Sequence, residues 1–159
     1  MQFSFLDKKT YKETLPILFS ILYENMSRIA PTGRSYDEER ADWLSEVLPA
    51  MQKEPRRILL LRDGDALAGY LQYYVHDGVF MVEELQLKES YQRTRALYRL
   101  CCFLKGMLPK DIRWIEAYAH KANVHSQSVI QALGMERIEE TGELWHYRGD
   151  FQPVFRRFK

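Results

Sequence analysis

The sequence predicts an α/β (α+β) fold, with a mixed central sheet of about six or seven strands flanked by helices. Three apolar runs separated by Asp-Gly turns predict an antiparallel meander, at Arg57–Leu61, Leu67–Val75 and Val79–Leu87. An amphipathic segment then leads to a further apolar run at Arg113–Ala119. A strand–helix–strand unit of this kind places its two strands parallel, so the sheet is predicted to be mixed.

Length and composition indicate one globular domain over residues 1–159, with 151–159 as a C-terminal tail. The chain has 159 residues, is 46% hydrophobic and carries a formal net charge of +1. This near-neutral charge argues against nucleic acid as a partner. The adjacent Cys101 and Cys102 point in different directions on a helix, so reduced thiols and a cytoplasmic location are expected. The N-terminal residues lack a long apolar core and no apolar run reaches the length of a membrane span, so neither a signal peptide nor a membrane span is expected.

The first third of the chain predicts a short strand and two helices. Gln2–Leu6 has alternating phenylalanines, and Thr14 and Pro16 stand where a helix can begin. The apolar face of that helix is at Leu15, Leu18, Leu22, Met26 and Ile29. Ser35 and Glu38 form a capping box before the second helix.

The last third predicts two more helices and a closing hairpin. A helix with its apolar face between Leu97 and Leu108 joins the two parallel strands. Asn123 can cap the next helix, and Gly134 suits its left-handed end. Residues 135–140 and 144–147 then predict the hairpin.

The segment Asn123–Met135 carries a resemblance to a known family. Its spacing is similar to that of the N-acetyltransferases that use acetyl-CoA, the GNAT superfamily, at Asn123, Ser126, Leu133, Gly134 and Met135. The order of elements resembles the same superfamily over nearly the whole chain. The resemblance implies that Asn123 and Ser126 lie beside the pantetheine or the thioester of the cofactor. The alternative interpretation is a capped helix with a glycine stop, which many folds contain.

A second pattern, Glu83–Gln92, is similar to the family's central strand and the approach to its pyrophosphate loop. The resemblance implies cofactor contacts from Leu85, Gln86 and Leu87 and from the loop residues Gln92, Arg93, Thr94, Arg95 and Ala96. Relatives have glycines where Arg95 and Leu97 stand. Alternatively, the loop is shorter and Ala96 already belongs to the helix.

The arginines of this loop have two interpretations. Glycine lets a pyrophosphate approach backbone amides closely, whereas Arg93 and Arg95 supply forked hydrogen-bond donors instead. The plainer interpretation is a solvated basic turn. Cations at a helix N-terminus oppose the helix dipole, by roughly 0.3–1 kcal/mol each. A bound polyanion would remove that conflict, which favours phosphate binding.

Three residues are candidates for catalysis. Acyl transfer to an amine needs a base, and Glu83 and Glu84 are neighbours on the central strand that are expected to point to opposite faces. Many relatives have a tyrosine acid seven residues after the asparagine, where this chain has Ile130. Tyr118 is a substitute by residue type, and histidines such as His146 are others.

The leading hypothesis is an N-acyltransferase that moves an acetyl or other acyl group from CoA to an amine. The acceptor is expected to be a small-molecule amine, a peptide N-terminus or a lysine, with acetyl-CoA as co-substrate, no metal and no membrane, and a homodimer is left open. The main alternative is a GNAT-like binding or regulatory module that has lost catalysis. A weaker alternative makes the Phe- and Arg-rich residues 151–159 a contact for a partner.

Overall fold

The computed structural model describes residues 1–53 and 55–158 and contains the predicted mixed sheet. Over these residues the sheet has seven strands with helices on both faces. The strands are β1 (Gln2–Phe5), β2 (Arg57–Asp63), β3 (Ala66–His76), β4 (Val79–Leu87), β5 (Trp114–His120), β6 (Glu136–Thr141) and β7 (Leu144–Asp150). The helices are α1 (Tyr11–Ile29), α2 (Tyr36–Gln52), α3 (Ala96–Met107), α4 (Val124–Ala132) and α5 (Phe151–Arg156).

The strand order is β1-β2-β3-β4-β5-β7-β6, and β4 with β5 is the parallel pair, as predicted. Their pairing joins Val79–Val82 to Trp114–Ala117 and extends no further. Because β4 continues to Leu87 and β5 to His120, the two strands separate beyond the last pair. This gap in the middle of the sheet positions the candidate site.

Each face of the sheet has its own core because side chains alternate along the strands. On one face, α1 and α2 cover Ile58, Leu60 and Tyr70. On the other face, α3 and α5 pack over Leu59, Leu71 and neighbouring strand residues. The two cores separate the molecule into an α1/α2 side and an α3/α5 side.

The first helix begins earlier than predicted. It starts at Tyr11 rather than near Thr14, after a 3₁₀ turn over Lys8–Thr10. Asp7 caps that turn by accepting a hydrogen bond from the Lys9 amide at 2.9 Å, and Tyr11 is buried. The capping box predicted for α2 is confirmed, since Ser35 and Glu38 exchange hydrogen bonds between side chain and backbone.

Residues 151–158, which were predicted as a tail, include α5 and pack into the hydrophobic core on the α3 side of the sheet. Phe151, Phe155 and Phe158 are buried, and the first two stack at 4.4 Å between ring centroids. Lys159 lies outside the described residues. The phenylalanines that suggested a partner contact are therefore part of the chain's own core.

Neither Cys101, which is buried, nor Cys102, which is half-buried, forms a disulfide. In the part of the chain that the structure describes, no helix combines the length and the apolar character that crossing a membrane requires.

Candidate active site

A cavity of about 480 Å³ opens where β4 and β5 separate. The walls come from the two strands, from α3 and α4, and from the loop between β4 and α3. Most of the predicted site residues line it: Glu83, Glu84, Leu85, Gln86, Leu87, Gln92, Arg93, Thr94, Tyr118, Asn123 and Ser126. Arg95 and Ala96 are the predicted residues outside this wall.

A β-bulge places the two neighbouring carboxylates on the same face of the sheet. Gln72 pairs with Glu84 and Tyr73 pairs with Val82, which leaves Glu83 without a partner between them. Tyr70 and Gln72, which share one face of β3, hydrogen-bond to Glu84 and Glu83 respectively. The expectation that adjacent residues would point to opposite faces is therefore wrong, because an extra residue in a strand interrupts the alternation.

Glu84 is the carboxylate of the pair whose pKa is shifted. Burial raises its pKa to about 7, and the negative charge of Glu83 acts in the same direction. Hydrogen bonds from Tyr70, Gln86 and Trp43 oppose this rise. The Tyr70 hydroxyl donates to Glu84 Oε1 at 2.8 Å. Glu84 can therefore exchange a proton near neutral pH at the cavity wall.

Glu83 is held by an ion pair instead. Arg56 Nε donates to both of its oxygens, at 2.8 and 3.1 Å, and Gln72 Nε2 donates at 3.0 Å. Both ionic side chains are mostly buried, with 30% of Arg56 and 19% of Glu83 exposed. A carboxylate held by three hydrogen bonds is less available as a base than its neighbour.

The loop between β4 and α3 turns sharply at Arg93, which has a left-handed backbone with φ of 58°. Thr94 stabilises the turn by donating its hydroxyl to the Tyr91 carbonyl at 2.7 Å and accepting from the Ala96 amide at 3.1 Å. Ala96 is the first residue of α3, so the shorter-loop alternative describes this chain. Arg95 stacks over the Tyr98 ring at 5.2 Å and lies away from the cavity.

Asn25 of α1 ties the end of β4 to the loop. Its side-chain amide nitrogen donates to Gln86 Oε1 and to the Leu87 carbonyl, both at 2.9 Å. Gln92 Nε2 donates to Asn25 Oδ1 at 3.0 Å and to the same Leu87 carbonyl at 2.9 Å. Sequence reasoning missed Asn25, although a polar residue one helical turn after Ile21 and Leu22 on an apolar face was a signal.

The start of α4 forms the opposite wall. Asn123 caps the helix by accepting a hydrogen bond from the Ser126 amide at 3.0 Å. Ser126 and Ile130 both line the cavity, and the Ile130 side chain has no proton to donate. The predicted cap and the left-handed Gly134, with φ of 93°, are confirmed.

Tyr118 lies in the cavity wall, stacked on His146 with ring centroids 4.4 Å apart. Burial, followed by the charges of Glu116 and Glu139, raises the pKa of Tyr118, so its hydroxyl stays protonated at neutral pH. Beneath it, His146 Nε2 lies 2.8 Å from Glu116 Oε2, and Arg148 donates to Glu116 Oε1 at 2.7 Å. Glu116 and His146 are buried, and their contact holds the His146 ring under Tyr118.

Within residues 1–53 and 55–158, no three His, Cys, Asp or Glu side chains are grouped as metal ligands would be.

Comparisons with known proteins point to one fold. No protein-family model matches the chain, and no curated protein sequence matches it. Among solved structures, an acetyltransferase from Thermus thermophilus has a TM-score of 0.70 at 19% identity, covering 95% of this chain and 98% of that one. The PaiA N-acetyltransferase from Thermoplasma acidophilum, solved with coenzyme A, has a TM-score of 0.69 at 16% identity, covering 95% and 100%.

A ribosomal-protein-alanine N-acetyltransferase from Brucella melitensis is also similar, with a TM-score of 0.61 at 12% identity and coverage of 95% and 100%. The chain therefore has the fold of the GNAT acetyltransferases over nearly its whole length. Because one fold supports many activities, the residues of the site determine the chemistry.

Proposed function

We propose that this chain is an N-acyltransferase that moves an acetyl or other acyl group from a CoA thioester to an amine. The observation that carries the proposal is Glu84, a carboxylate with a pKa of about 7 at the wall of the cavity between β4 and β5. A group of that pKa can accept the proton that an attacking amine must lose. The GNAT fold supports the same class of reaction by analogy.

The cavity walls suit a CoA thioester. In a strand, backbone amides alternate between its two edges, and beyond Val82 one edge of β4 is not paired with β5. The Lys88 amide donates to the Ala68 carbonyl of β3, so by alternation the Gln86 amide also faces β3 and the amides of Leu85 and Leu87 face the open edge. These two amides supply donors for a pantetheine carbonyl and for the thioester oxygen. Asn123 and Ser126 face them from the start of α4.

The loop before α3 suits a pyrophosphate, although it lacks the family's glycines. Arg93 itself adopts the left-handed conformation that a glycine would supply, so the sharp turn is retained. Its exposed guanidinium adds positive charge at the N-terminus of α3. That helix end also presents backbone N–H groups to an anion. Arg95 would contribute long-range charge only, and the Ala96 amide already donates to Thr94 Oγ1.

The proposed reaction needs two proton movements. As the amine nitrogen bonds to the thioester carbon and the carbon–sulfur bond breaks, Glu84 accepts the proton released by the amine, directly or through a water. Tyr118, which is protonated at neutral pH, gives a proton to the departing thiolate. Glu83 is paired with Arg56 beside the bulge, so Glu84 is the carboxylate that acts as the base.

The acceptor is proposed to approach from the α1/α2 side, since Tyr70, Trp43 and Glu84 lie there. The proposed acceptor is a small-molecule amine, a peptide N-terminus or a lysine. We also propose a cytoplasmic location, and a homodimer is left open.

A second candidate is a binding module of the same fold that has lost catalysis. The residue that favours it is Ile130, which lines the cavity and has no proton to give. This candidate predicts CoA binding without acyl transfer.

Calorimetry with CoA and acetyl-CoA, followed by turnover with a panel of amines, separates the two candidates. For an enzyme we expect Glu84→Gln to lower kcat by about 10²–10⁴-fold while CoA affinity changes less than twofold. Glu83→Gln is the matched control on the adjacent residue, and we expect a smaller loss. Binding without turnover would favour the binding module, and no binding at millimolar CoA would contradict both.

A further inference from the structure

Three side-chain amides form a continuous hydrogen-bonded network between the donor loop, residues 88–95, and the proposed base. Gln92 Nε2 donates to Asn25 Oδ1 at 3.0 Å, and Asn25 Nδ2 donates to Gln86 Oε1 at 2.9 Å. The Gln86 side chain in turn hydrogen-bonds to the Glu84 carboxylate. This amide network therefore runs from the loop, through α1, to the proposed base at the cavity wall.

The Leu87 carbonyl fixes the direction of the amide network. Asn25 Nδ2 and Gln92 Nε2 both lie 2.9 Å from its oxygen. A carbonyl oxygen can only accept a hydrogen bond, so each of these two amides must present its nitrogen to it. The oxygen of Asn25 is then left for Gln92, and the second proton on its nitrogen is left for Gln86. Because Gln86 accepts with its oxygen, its nitrogen is the atom that can donate to Glu84.

Asn25 is the central member of the amide network. It is 8% exposed on α1, and its two N–H donors and its oxygen are all engaged in the contacts above. Gln86, in contrast, is only half-buried and lines the cavity. Without Asn25, the Gln86 amide would lose the contact that fixes its orientation and could turn its oxygen toward Glu84.

The pKa of Glu84 depends on which atom of that amide faces it. Burial raises this pKa to about 7, the charge of Glu83 acts in the same direction, and hydrogen bonds from Tyr70, Gln86 and Trp43 oppose the rise. The three donors come from β3, β4 and α2, respectively. An amide nitrogen that donates to the carboxylate stabilises its ionised form, whereas an amide oxygen in the same place repels it.

We propose that Asn25 is a positioning residue for both halves of the site: it turns the Gln86 amide toward Glu84, and it holds Gln92, and with it the donor loop, against the end of β4. This inference rests on the proposed acyl transfer, in which Glu84 is the base and the loop binds the pyrophosphate. It assigns the side chains of Gln86 and Gln92 to the amide network rather than to direct contacts with the cofactor.

The titration of Glu84 tests the first half without any ligand. NMR of the side-chain carboxyl carbons follows it in the full chain, with Glu84→Gln to assign the signal. Asn25→Leu removes the donors and the acceptor at similar volume, and we expect the Glu84 midpoint to rise by about half a pH unit or more. Loosened packing would instead expose Glu84 and lower the midpoint toward its ordinary 4.5. The sign of the shift therefore separates lost orientation from lost packing.

Two further variants act as controls. Leu22→Met is a volume-conserving change one turn earlier on α1, and it should leave the Glu84 midpoint unchanged. Gln86→Leu removes the last amide and should raise the midpoint by itself. If Asn25 acts through Gln86, Asn25→Leu should add no further shift in the Gln86→Leu background. Asn25→Ala is the second variant if Asn25→Leu does not give a cooperative thermal melt.

Calorimetry with CoA tests the second half. Asn25→Leu removes the contact with Gln92, so the donor loop is less preorganised and CoA affinity should fall about fivefold. Leu22→Met should change CoA affinity by less than about twofold, because it leaves the amide network intact.

The outcomes are distinct. A raised Glu84 midpoint in Asn25→Leu, absent in Leu22→Met and absent in the Gln86→Leu background, supports the proposal. An unmoved or lowered midpoint overturns it, as does an equal shift with and without Gln86. Unchanged CoA affinity in Asn25→Leu overturns the hold on the donor loop. If CoA does not bind the wild type, the proposed function fails, whereas the Glu84 titration still decides the role of Asn25.

Discussion

The Tyr70 hydroxyl donates a 2.8 Å hydrogen bond to Glu84 Oε1, from the fully buried centre of the α1/α2 core to the wall of the cavity. It therefore connects the packing of the sheet with the ionisation of the proposed base. Burial raises the pKa of Glu84 to about 7, and this hydrogen bond limits the rise by stabilising the carboxylate. The acidity of Glu84 thus depends on a side chain of the neighbouring strand.

Removing the Tyr70 hydroxyl should shift the pH dependence of catalysis. In the wild type, kcat/KM should rise with pH and level off above about 7, as Glu84 loses its proton. Tyr70→Phe removes a hydrogen bond to the ionised form of Glu84, so the pKa of Glu84 should rise. The pH profile of kcat/KM should then shift by about one unit toward higher pH. Steady-state kinetics from about pH 5.5 to about 9 measures the shift.

The control for that experiment is Tyr73→Phe on the same strand. The Tyr73 hydroxyl contacts the Met107 sulfur at 3.9 Å and has no role in the Glu84 contacts. Its removal should leave the pH profile unchanged. A profile that is unmoved or shifted downward in Tyr70→Phe would contradict the assignment of Glu84 as the titrating base.

Glu84→Gln should stabilise the protein at pH 8 more than at pH 5. The pKa of Glu84 is about 7 in the folded chain and near its ordinary 4.5 in the unfolded chain. Between these values the folded state holds a proton that the unfolded state has released, so wild-type stability falls as pH rises. Glutamine does not titrate in this range. The amount by which the Tm of Glu84→Gln exceeds that of the wild type should therefore grow as the pH rises to about 7.

Thermal melts between pH 5 and 8 measure this difference, with Glu83→Gln for comparison. Glu83→Gln breaks the ion pair with Arg56 and should lower Tm at neutral pH. A difference between Glu84→Gln and wild type that does not change with pH would show that Glu84 titrates normally.

The two loop arginines should differ in their importance for CoA. Arg93→Gly keeps the left-handed backbone and removes a guanidinium at the cavity, so CoA affinity should fall about tenfold. Stability should change by less than about 1 kcal/mol, because relief of backbone strain offsets the greater freedom of glycine. Arg95→Gly is the matched control and should weaken binding less, since Arg95 stacks on Tyr98.

Calorimetry with CoA at two salt concentrations checks this prediction, since the Arg93 contribution should weaken as salt rises. An equal loss in the two variants would indicate a diffuse charge effect rather than a contact at Arg93.

Gly69 is required by a close approach between β3 and β4. A Cβ at this position would lie 2.2 Å from the Gln86 carbonyl oxygen and 2.8 Å from the Leu87 side chain. Gly69→Ala should destabilise the fold by about 3 kcal/mol, because backbone atoms cannot move aside as a flexible side chain can. It should also disturb the Leu87 carbonyl that Asn25 and Gln92 share.

Gly106 in α3 is the control, since a Cβ there would meet no atom within 4 Å. Gly106→Ala should stabilise the protein by about 0.5–1 kcal/mol through helix propensity. Urea denaturation measures both variants. Equal effects in the two would contradict the steric role assigned to Gly69.

Local chemistry determined the elements of this fold. The Asp-Gly turns, the capping box at Ser35 and the Asn123 cap with its glycine stop act within a few residues, so the sequence alone predicts them. The parallel pairing of β4 and β5 also follows from the strand–helix–strand order. The same reasoning identified most residues of the cavity wall.

Contacts between distant residues decided the rest. The bulge at Glu83 comes from the register between β3 and β4, and it placed two carboxylates on one face against the expectation of alternation. Asn25 became part of the site because α1 packs over the end of β4. The C-terminal phenylalanines joined the core because Phe80 lies in contact range of Phe151 and Phe155. Periodicity reports which face of an element is apolar, whereas only packing shows what that face meets.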